Sequence, residues 1–310
     1  MPDIELSIVI PVYNSSIILN DLYARICNAL QNHSYEVIFI NDGSNDDSWK
    51  KLELLAAANK KIIAIDLIKN SGQDNAILAG LRHVDGDYIV IMDDDLQHAP
   101  EDIIKLYDKC REGYDVCYAA YENNQQSFIK KTGSKVNGSM AVWLLNKPKK
   151  LYLSPFKIIR RNIADEIARF SGLYPYIDGI ILTITNNICQ IKVRHYRRQS
   201  GKGNYTLFRS ASVLFRLFSG FSVIPLRLMT LIGFFIALTG MGLILYYLYE
   251  HFILKDILEG WTTIVILIIF FGGLTIMILG LIGEYIGRIY LTLNNKPQYV
   301  IKKIIKKSDG

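Results

Sequence analysis

Val90-Ile91-Met92-Asp93-Asp94-Asp95-Leu96-Gln97 is the stretch on which the reading of this chain turns, because three carboxylates follow directly on the apolar, strand-like run Tyr88 to Met92. Strand side chains alternate faces, so Asp93 and Asp95 are expected to point one way and Asp94 the other. Like charges this close repel one another and favour a cationic partner. Carboxylate oxygens suit hard divalent ions, and Mg2+ or Mn2+ is commonly held by one or two carboxylates together with substrate phosphates. A bare D-x-D is equally what a solvated acidic turn before the helix at Pro100 would look like, so its surroundings decide.

Upstream, apolar β-branched runs alternate with helical patterns. Leu6 to Val12, Val37 to Ile40, Ile62 to Leu67, Tyr88 to Met92 and Val116 to Tyr118 read as strands; Ile17 to Leu30, Asp46 to Ala58, Gln73 to His83 and Pro100 to Arg111 read as helices. That alternation predicts an α/β fold with a mostly parallel sheet covered on both faces. Ligands of such sheets bind outside the carboxyl ends of the strands. Three polar clusters fall there: Tyr13-Asn14-Ser15, Asn41-Asp42-Gly43-Ser44 and Asp93 to Gln97. Any one alone would be an ordinary turn or helix cap; three at one end of one sheet are expected to line a single crevice.

The chain has 310 residues, a hydrophobic fraction of 50% and a positive mean hydropathy, high for a wholly soluble protein of about two domains. The excess lies towards the C-terminus. Leu228 to Tyr249 and Trp261 to Gly283 run 22 and 23 residues without a charge, each long enough at about 1.5 Å per residue to cross a hydrocarbon core of roughly 30 Å. Both read as transmembrane helices, with Tyr246, Tyr247, Tyr249 and Trp261 at the ends, where aromatic belts form. The loop between them is acidic on balance, whereas the stretch after Gly283 carries Arg288, Lys296, Lys302, Lys303, Lys306 and Lys307. This asymmetry predicts a cytoplasmic tail, and hence a cytoplasmic N-terminal domain in a multi-pass protein of the inner (cytoplasmic) membrane. The expected divisions are a catalytic domain over 1–204, amphipathic juxtamembrane helices over 205–227, a two-helix membrane region over 228–290 and a basic tail over 291–310.

Much of the net charge of +6 sits beside the membrane segments, at Arg194, Arg197, Arg198, Lys202, Arg209, Arg216 and Arg227. That pattern fits anionic lipid or phosphate, and with no nucleic-acid-binding motif present, nucleic acid is not an expected partner. No G-x-x-x-x-G-K-[ST] occurs and no G-x-G-x-x-G follows the first strand, which disfavours an NTPase or a dehydrogenase. Cys27, Cys110, Cys117 and Cys189 have no C-x-x-C spacing and read as small buried apolar residues.

With these motifs in place, the chain resembles the inverting family 2 glycosyltransferases of GT-A fold, specifically those acting on polyprenyl phosphates. The matching residues are Ile8 to Asn14, Asn41 to Ser44, Gly72-Gln73 through Ala79-Gly80, Asp93 to Gln97 and Gly283 to Arg288, together with the basic segment His195 to Tyr205. The resemblance implies a GT-A catalytic domain followed by two C-terminal transmembrane helices. It implies nucleotide-sugar binding by Pro11, Tyr13, Asn14, Asp42, Gln73, Asp93 and Asp94, and Mg2+ or Mn2+ held by Asp93, Asp95 and Gln97. Lys157, Arg160, Arg198 and Lys202 are the expected ligands of the acceptor phosphate, and Asp95, Asp178 and Arg198 the expected catalytic residues. Asp178 is open to two readings, a general base or a structural helix cap; the basic segment could also be a membrane-surface patch.

The implied reaction is attack by a polyprenyl (undecaprenyl) phosphate oxygen on the anomeric carbon of a nucleotide sugar, expected to be UDP-linked, at the bilayer surface and in a homo-oligomer. Three departures stand out. Ser15-Ser16 replace an acidic residue often found after Pro-Val-Tyr-Asn, Gly203 replaces a serine, and Ser154-Pro155-Phe156-Lys157 replaces an acidic residue and an arginine near the acceptor. The alternatives are a processive polysaccharide synthase, whose Q-x-x-R-W motif and further spans are missing here, and an inactive membrane scaffold, disfavoured by the intact Asp42, Asp93, Asp95, Gln97 and Arg198.

Overall fold

Burial of β-branched runs on both faces produces the central sheet. The computed structural model describes residues 4–121, 151–172, 175–193, 224–249, 261–293 and 297–307. In chain order the elements are β1 (Leu6–Val12), α1 (Leu19–Ala29), β2 (Tyr35–Asn41), α2 (Ser48–Ala58), β3 (Ile62–Leu67), α3 (Gln73–Leu81), β4 (Tyr88–Ile91), a 3-10 turn (Pro100–Asp102), α4 (Ile103–Arg111) and β5 (Val116–Tyr121). After these come β6 (Lys157–Arg160), α5 (Arg161–Ala168), α6 (Ile177–Ile184), β7 (Ile188–Val193), α7 (Ile224–Tyr249), α8 (Trp261–Leu293) and β8 (Ile301–Lys306).

β1, β2 and β3 are buried along their whole length, the pattern of strands covered on both faces. Ile8, Ile10 and Val12 meet Leu19, Leu22 and Ile26 of α1, Leu52 and Ala56 of α2, and Ile103 and Leu106 of α4 in one core. The opposite face takes α3, pressed so close that a Cβ on Gly80 would come within 2.6 Å of Val9 and 2.7 Å of Ile40. A side chain there would push the helix off the sheet.

The sheet has eight strands in the order β7-β5-β6-β4-β1-β2-β3-β8. β4-β1-β2-β3 are parallel, as the alternation of strands and helices predicts. β6 is a difference: four residues from beyond the five expected strands insert antiparallel between β4 and β5. Ile91 of β4 pairs with Lys157, and Tyr88 with Arg160, so Lys157 lies at the carboxyl end of β4 and Arg160 three residues away towards its start.

The chain separates into two compact units, one of residues 1–204 and 296–310, the other of residues 205–295. The stretch 291–310, read from sequence as a basic tail, therefore differs: residues 301–306 form β8, which pairs antiparallel with β3 and closes that edge of the sheet. Lys303 pairs with Glu53 at 2.8 Å, and Lys302 lies 3.5 Å from Asp66. Tyr299 and Gln298 accept hydrogen bonds from Arg82, and Gln298 donates to the Gly172 carbonyl. Deleting residues 297–310 exposes the β3 edge and removes these ties, with an expected cost of about 3 kcal/mol or more. Thermal unfolding of the deletion variant checks this, and an unchanged midpoint would contradict it.

In the second unit, α7 and α8 have 26 and 33 residues. By length and composition Phe270–Gly287 of α8 can cross a membrane, and its described side chains are not buried; the apolar stretch of α7, Leu231–Gly242, is shorter. The sequence reading of two spans thus has one clear counterpart among the described residues. Thr239 and Thr275 return their hydroxyls to the carbonyls four residues earlier, which satisfies them without solvent.

Candidate active site

The loops after β1, β2 and β4 meet in a cavity of about 320 Å3, lined by Pro11, Val12, Tyr13, Asp42, Asn70, Gly72, Gln73 and Asp93 to Asp95. The three clusters at the carboxyl ends of the parallel strands thus share one crevice, together with the N-terminus of α3.

β4 ends at Ile91, so the three aspartates occupy the turn beyond it. Their carboxylates still diverge. Asp94 Oδ2 accepts the Tyr13 backbone N–H at 3.3 Å, Asp93 Oδ1 accepts from Gln73 Nε2 at 2.6 Å, and Asp95 Oδ1 accepts the Gln97 backbone N–H at 3.0 Å. Leu96 holds this turn with a φ of 57°, a left-handed conformation that a branched side chain adopts only when the surroundings force it. Its side chain is buried at 2% exposure, and that burial supplies the force. Burial, then the charges of Asp95 and Asp94, push the Asp93 carboxyl up to about 7; burial pushes that of Asp94 up to about 6. Packed carboxylates opposed in this way, with oxygen donors only, fit a hard divalent cation. Among the described residues no group of three or more His, Cys, Asp and Glu forms a cage; an ion here would be held by one or two carboxylates plus ligand phosphates.

Asp42 is buried, and its two oxygens accept the backbone N–H groups of Ser71 at 2.6 Å and Gly72 at 3.0 Å. Burial raises its carboxyl and these two bonds oppose the rise. Asp42 therefore fixes the loop entering α3 while it lines the crevice. Gly43 makes the close approach feasible: its φ is 64°, and a Cβ there would lie 2.5 Å from the Asn70 nitrogen. Asn14, expected to touch the nucleotide, is not among the lining residues. Its φ of 53° is one asparagine tolerates, its Oδ1 accepts the Asn45 N–H and its own N–H donates to Ser44 Oγ. Asn14 thus ties the β1 and β2 loops together. At the departure Ser15-Ser16, the two N–H groups donate to Ser48 Oγ and Asp46 Oδ2, both at 3.0 Å.

Asp178, in the first turn of α6, accepts from Tyr118 Oη at 2.9 Å and is ion-paired with Lys157. Lys157 is 3% exposed, so the structure holds it in a buried pair, where the sequence reading made it a ligand of the acceptor phosphate. Arg160 is not brought to the crevice: it pairs with Tyr88 at the far end of β4, and its guanidinium faces Cys110. Arg198 and Lys202 lie outside the described residues. The sequence reading missed Asp74 and Tyr118, whose proximity to Asp178 depends on strand order and not on any local motif.

A family model for glycosyl transferase family 2 matches residues 7–173. The chain belongs to glycosyltransferase family 2. A second model, described as the GtrB C-terminal hairpin, matches residues 224–289 of this glycosyltransferase. Undecaprenyl-phosphate 4-deoxy-4-formamido-L-arabinose transferase of Klebsiella pneumoniae (strain 342) is 34% identical over 310 residues, covering 98% of this chain and 95% of that protein. The protein of the same name from Proteus mirabilis (strain HI4320) is 33% identical over 307 residues, covering 97% and 94%. Among solved structures, glucosyl-3-phosphoglycerate synthase from Mycobacterium tuberculosis, in complex with Mn2+, UDP-glucose and phosphoglyceric acid, matches with a TM-score of 0.52 and 16% identity, over 69% of this chain and 77% of that one. That likeness is one of fold. The glycosyltransferase has the GT-A-like α/β architecture, and its relatives are undecaprenyl-phosphate sugar transferases.

Proposed function

We propose that this glycosyltransferase moves a sugar from a UDP-linked donor to undecaprenyl phosphate, with inversion at the anomeric carbon, at the cytoplasmic face of the inner membrane. The observation that carries the reading is the single crevice formed by Tyr13, Asp42, Gln73 and Asp93 to Asp95, in a chain similar over nearly its full length to undecaprenyl-phosphate transferases. Tyr13 and Asp42 line the side of the crevice that would take the nucleobase; Asp93 and Asp95, with Gln97, would hold Mg2+ or Mn2+ beside the donor diphosphate. When bound, the cation neutralises charge on the leaving diphosphate. Membrane attachment rests on α8 and on the match to a C-terminal hairpin, with α7 as the second span. The acidic loop and basic C-terminal side favour a cytoplasmic catalytic unit. Gly280, Gly283 and Gly287 leave open space on α8, suited to close helix packing in a homo-oligomer. Full-length protein incubated with Mn2+, undecaprenyl phosphate and a panel of UDP-sugars tests the proposal: one donor should give a lipid-linked sugar, and no turnover with any would overturn it.

A phosphate monoester carries roughly −1.5 to −2 charge near pH 7, so the acceptor oxygen arrives ionised and needs little help from a base. Asp178, already occupied by Lys157 and Tyr118, suits that chemistry. Asp178→Asn is therefore expected to slow turnover less than about tenfold at saturating undecaprenyl phosphate, whereas loss of a true general base costs about 10² to 10⁴. Rates across pH 6 to 9 on a variant shown to be folded decide, and a thousandfold loss, largest at low pH, would contradict an ionised acceptor.

A further inference from the structure

Lys157 stands where the family pattern has an arginine, and the carboxylate of Asp178 and the ring of Tyr118 lie against it. Its side chain is 4% exposed, its ammonium pairs with Asp178, and it lies 5.3 Å from the Tyr118 ring centroid. Asp74, in the first turn of α3, is half-buried, and Asp178, Lys157 and the Ile177 N–H all act on its carboxyl. Gln73, the neighbour of Asp74, donates to Asp93. One turn of α3 thus reaches both centres, Asp93 on the donor side through Gln73 and the start of α6 through Asp74. Asp74 is raised to about 6, first by burial and then by Asp178, while Lys157 opposes the rise; the same ammonium acts on Asp93.

Resting on the functional reading above, we propose that Lys157 and Asp74 are positioning residues: Lys157 is the buried counter-cation shared by Asp74 and Asp178, and the trio sets α6 against the first turn of α3 and thereby against Asp93. Lys157 then never meets the acceptor phosphate. Removing a buried cation leaves its carboxylates uncompensated, which costs far more than removing cation and carboxylate together. The trio carries one net negative charge; Lys157→Met leaves two, and adding Asp74→Asn returns it to one.

The test uses full-length protein with Mn2+, a competent UDP-sugar and undecaprenyl phosphate. Lys157→Met should lower kcat about thirtyfold with the KM for undecaprenyl phosphate within about threefold, and Lys157→Met/Asp74→Asn should return kcat to within about fivefold of wild type. A tenfold rise in that KM with no recovery in the double variant would make Lys157 a phosphate ligand and overturn the proposal. Recovery of the thermal midpoint without recovery of kcat would reduce the trio to a folding element and overturn the positioning role. Should Lys157→Met not fold, the double variant decides: folded and within about fivefold of wild type supports the trio, while unfolded or tenfold raised in KM overturns it. Thermal coupling between the two substitutions in a wild-type background that makes no lipid-linked sugar would refute the functional reading alone; turnover by wild type without coupling would refute the trio alone.

Discussion

Asp95→Asn, or removal of divalent ions with EDTA, is expected to lower the rate of sugar transfer at least about a hundredfold, some 2.7 kcal/mol of barrier. Asp95 ends the run of three carboxylates in the crevice, and its Oδ1 accepts the Gln97 N–H at 3.0 Å. An amide preserves the hydrogen bond to Gln97 while removing the charge, which separates the electrostatic contribution from the shape of the turn held by Leu96. The measurement is initial rate at saturating donor and acceptor, with Mn2+ titrated back after chelation. Full activity of Asp95→Asn in EDTA would remove metal-assisted departure of the diphosphate.

The parallel half of the fold was legible because β1 to β4 are continuous β-branched runs punctuated by turn residues, each followed by a helix of matching period. β6 and β8 were not. Lys157-Ile158-Ile159-Arg160 has two apolar residues between two cations, and Ile301 to Lys306 reads Ile-Lys-Lys-Ile-Ile-Lys, without strict alternation; both are strands because neighbouring strands offer an unpaired edge, a condition no local pattern encodes. The crevice residues were legible for the same reason as the parallel strands, since strand ends and loops are local features. Lys157 was not, because its partners Asp74 and Asp178 come from two helices far apart in sequence. Arg160 was misplaced by the same insertion: an antiparallel β6 carries residues 157 and 160 to opposite ends of β4.

Replacing residues 205–295 by a flexible Gly/Ser linker is expected to reduce transfer to bilayer-borne undecaprenyl phosphate at least about a hundredfold, because an enzyme held at the bilayer meets its acceptor at a far higher effective concentration. Binding of UDP with Mn2+ should stay within about threefold, since every described residue lining the crevice belongs to the unit of residues 1–204 and 296–310. Truncation after Gly220 is a poorer test. It removes β8 as well, and so confounds membrane attachment with the loss of a sheet edge. Equal rates for the linker variant and the full-length protein on vesicles containing undecaprenyl phosphate would contradict a membrane-bound acceptor.

The central claim is that a lipid phosphate oxygen attacks the sugar and a nucleoside diphosphate leaves. The most direct measurement is the identity of both products from one reaction of full-length protein with Mn2+, undecaprenyl phosphate and its competent UDP-sugar, by mass spectrometry of the lipid and chromatography of the nucleotide. The account predicts one UDP released per lipid formed, and a lipid carrying its sugar through a single phosphate with the anomeric configuration inverted from the donor. Release of UMP with a sugar diphospholipid, or growth of a sugar polymer with the lipid unused, would contradict it.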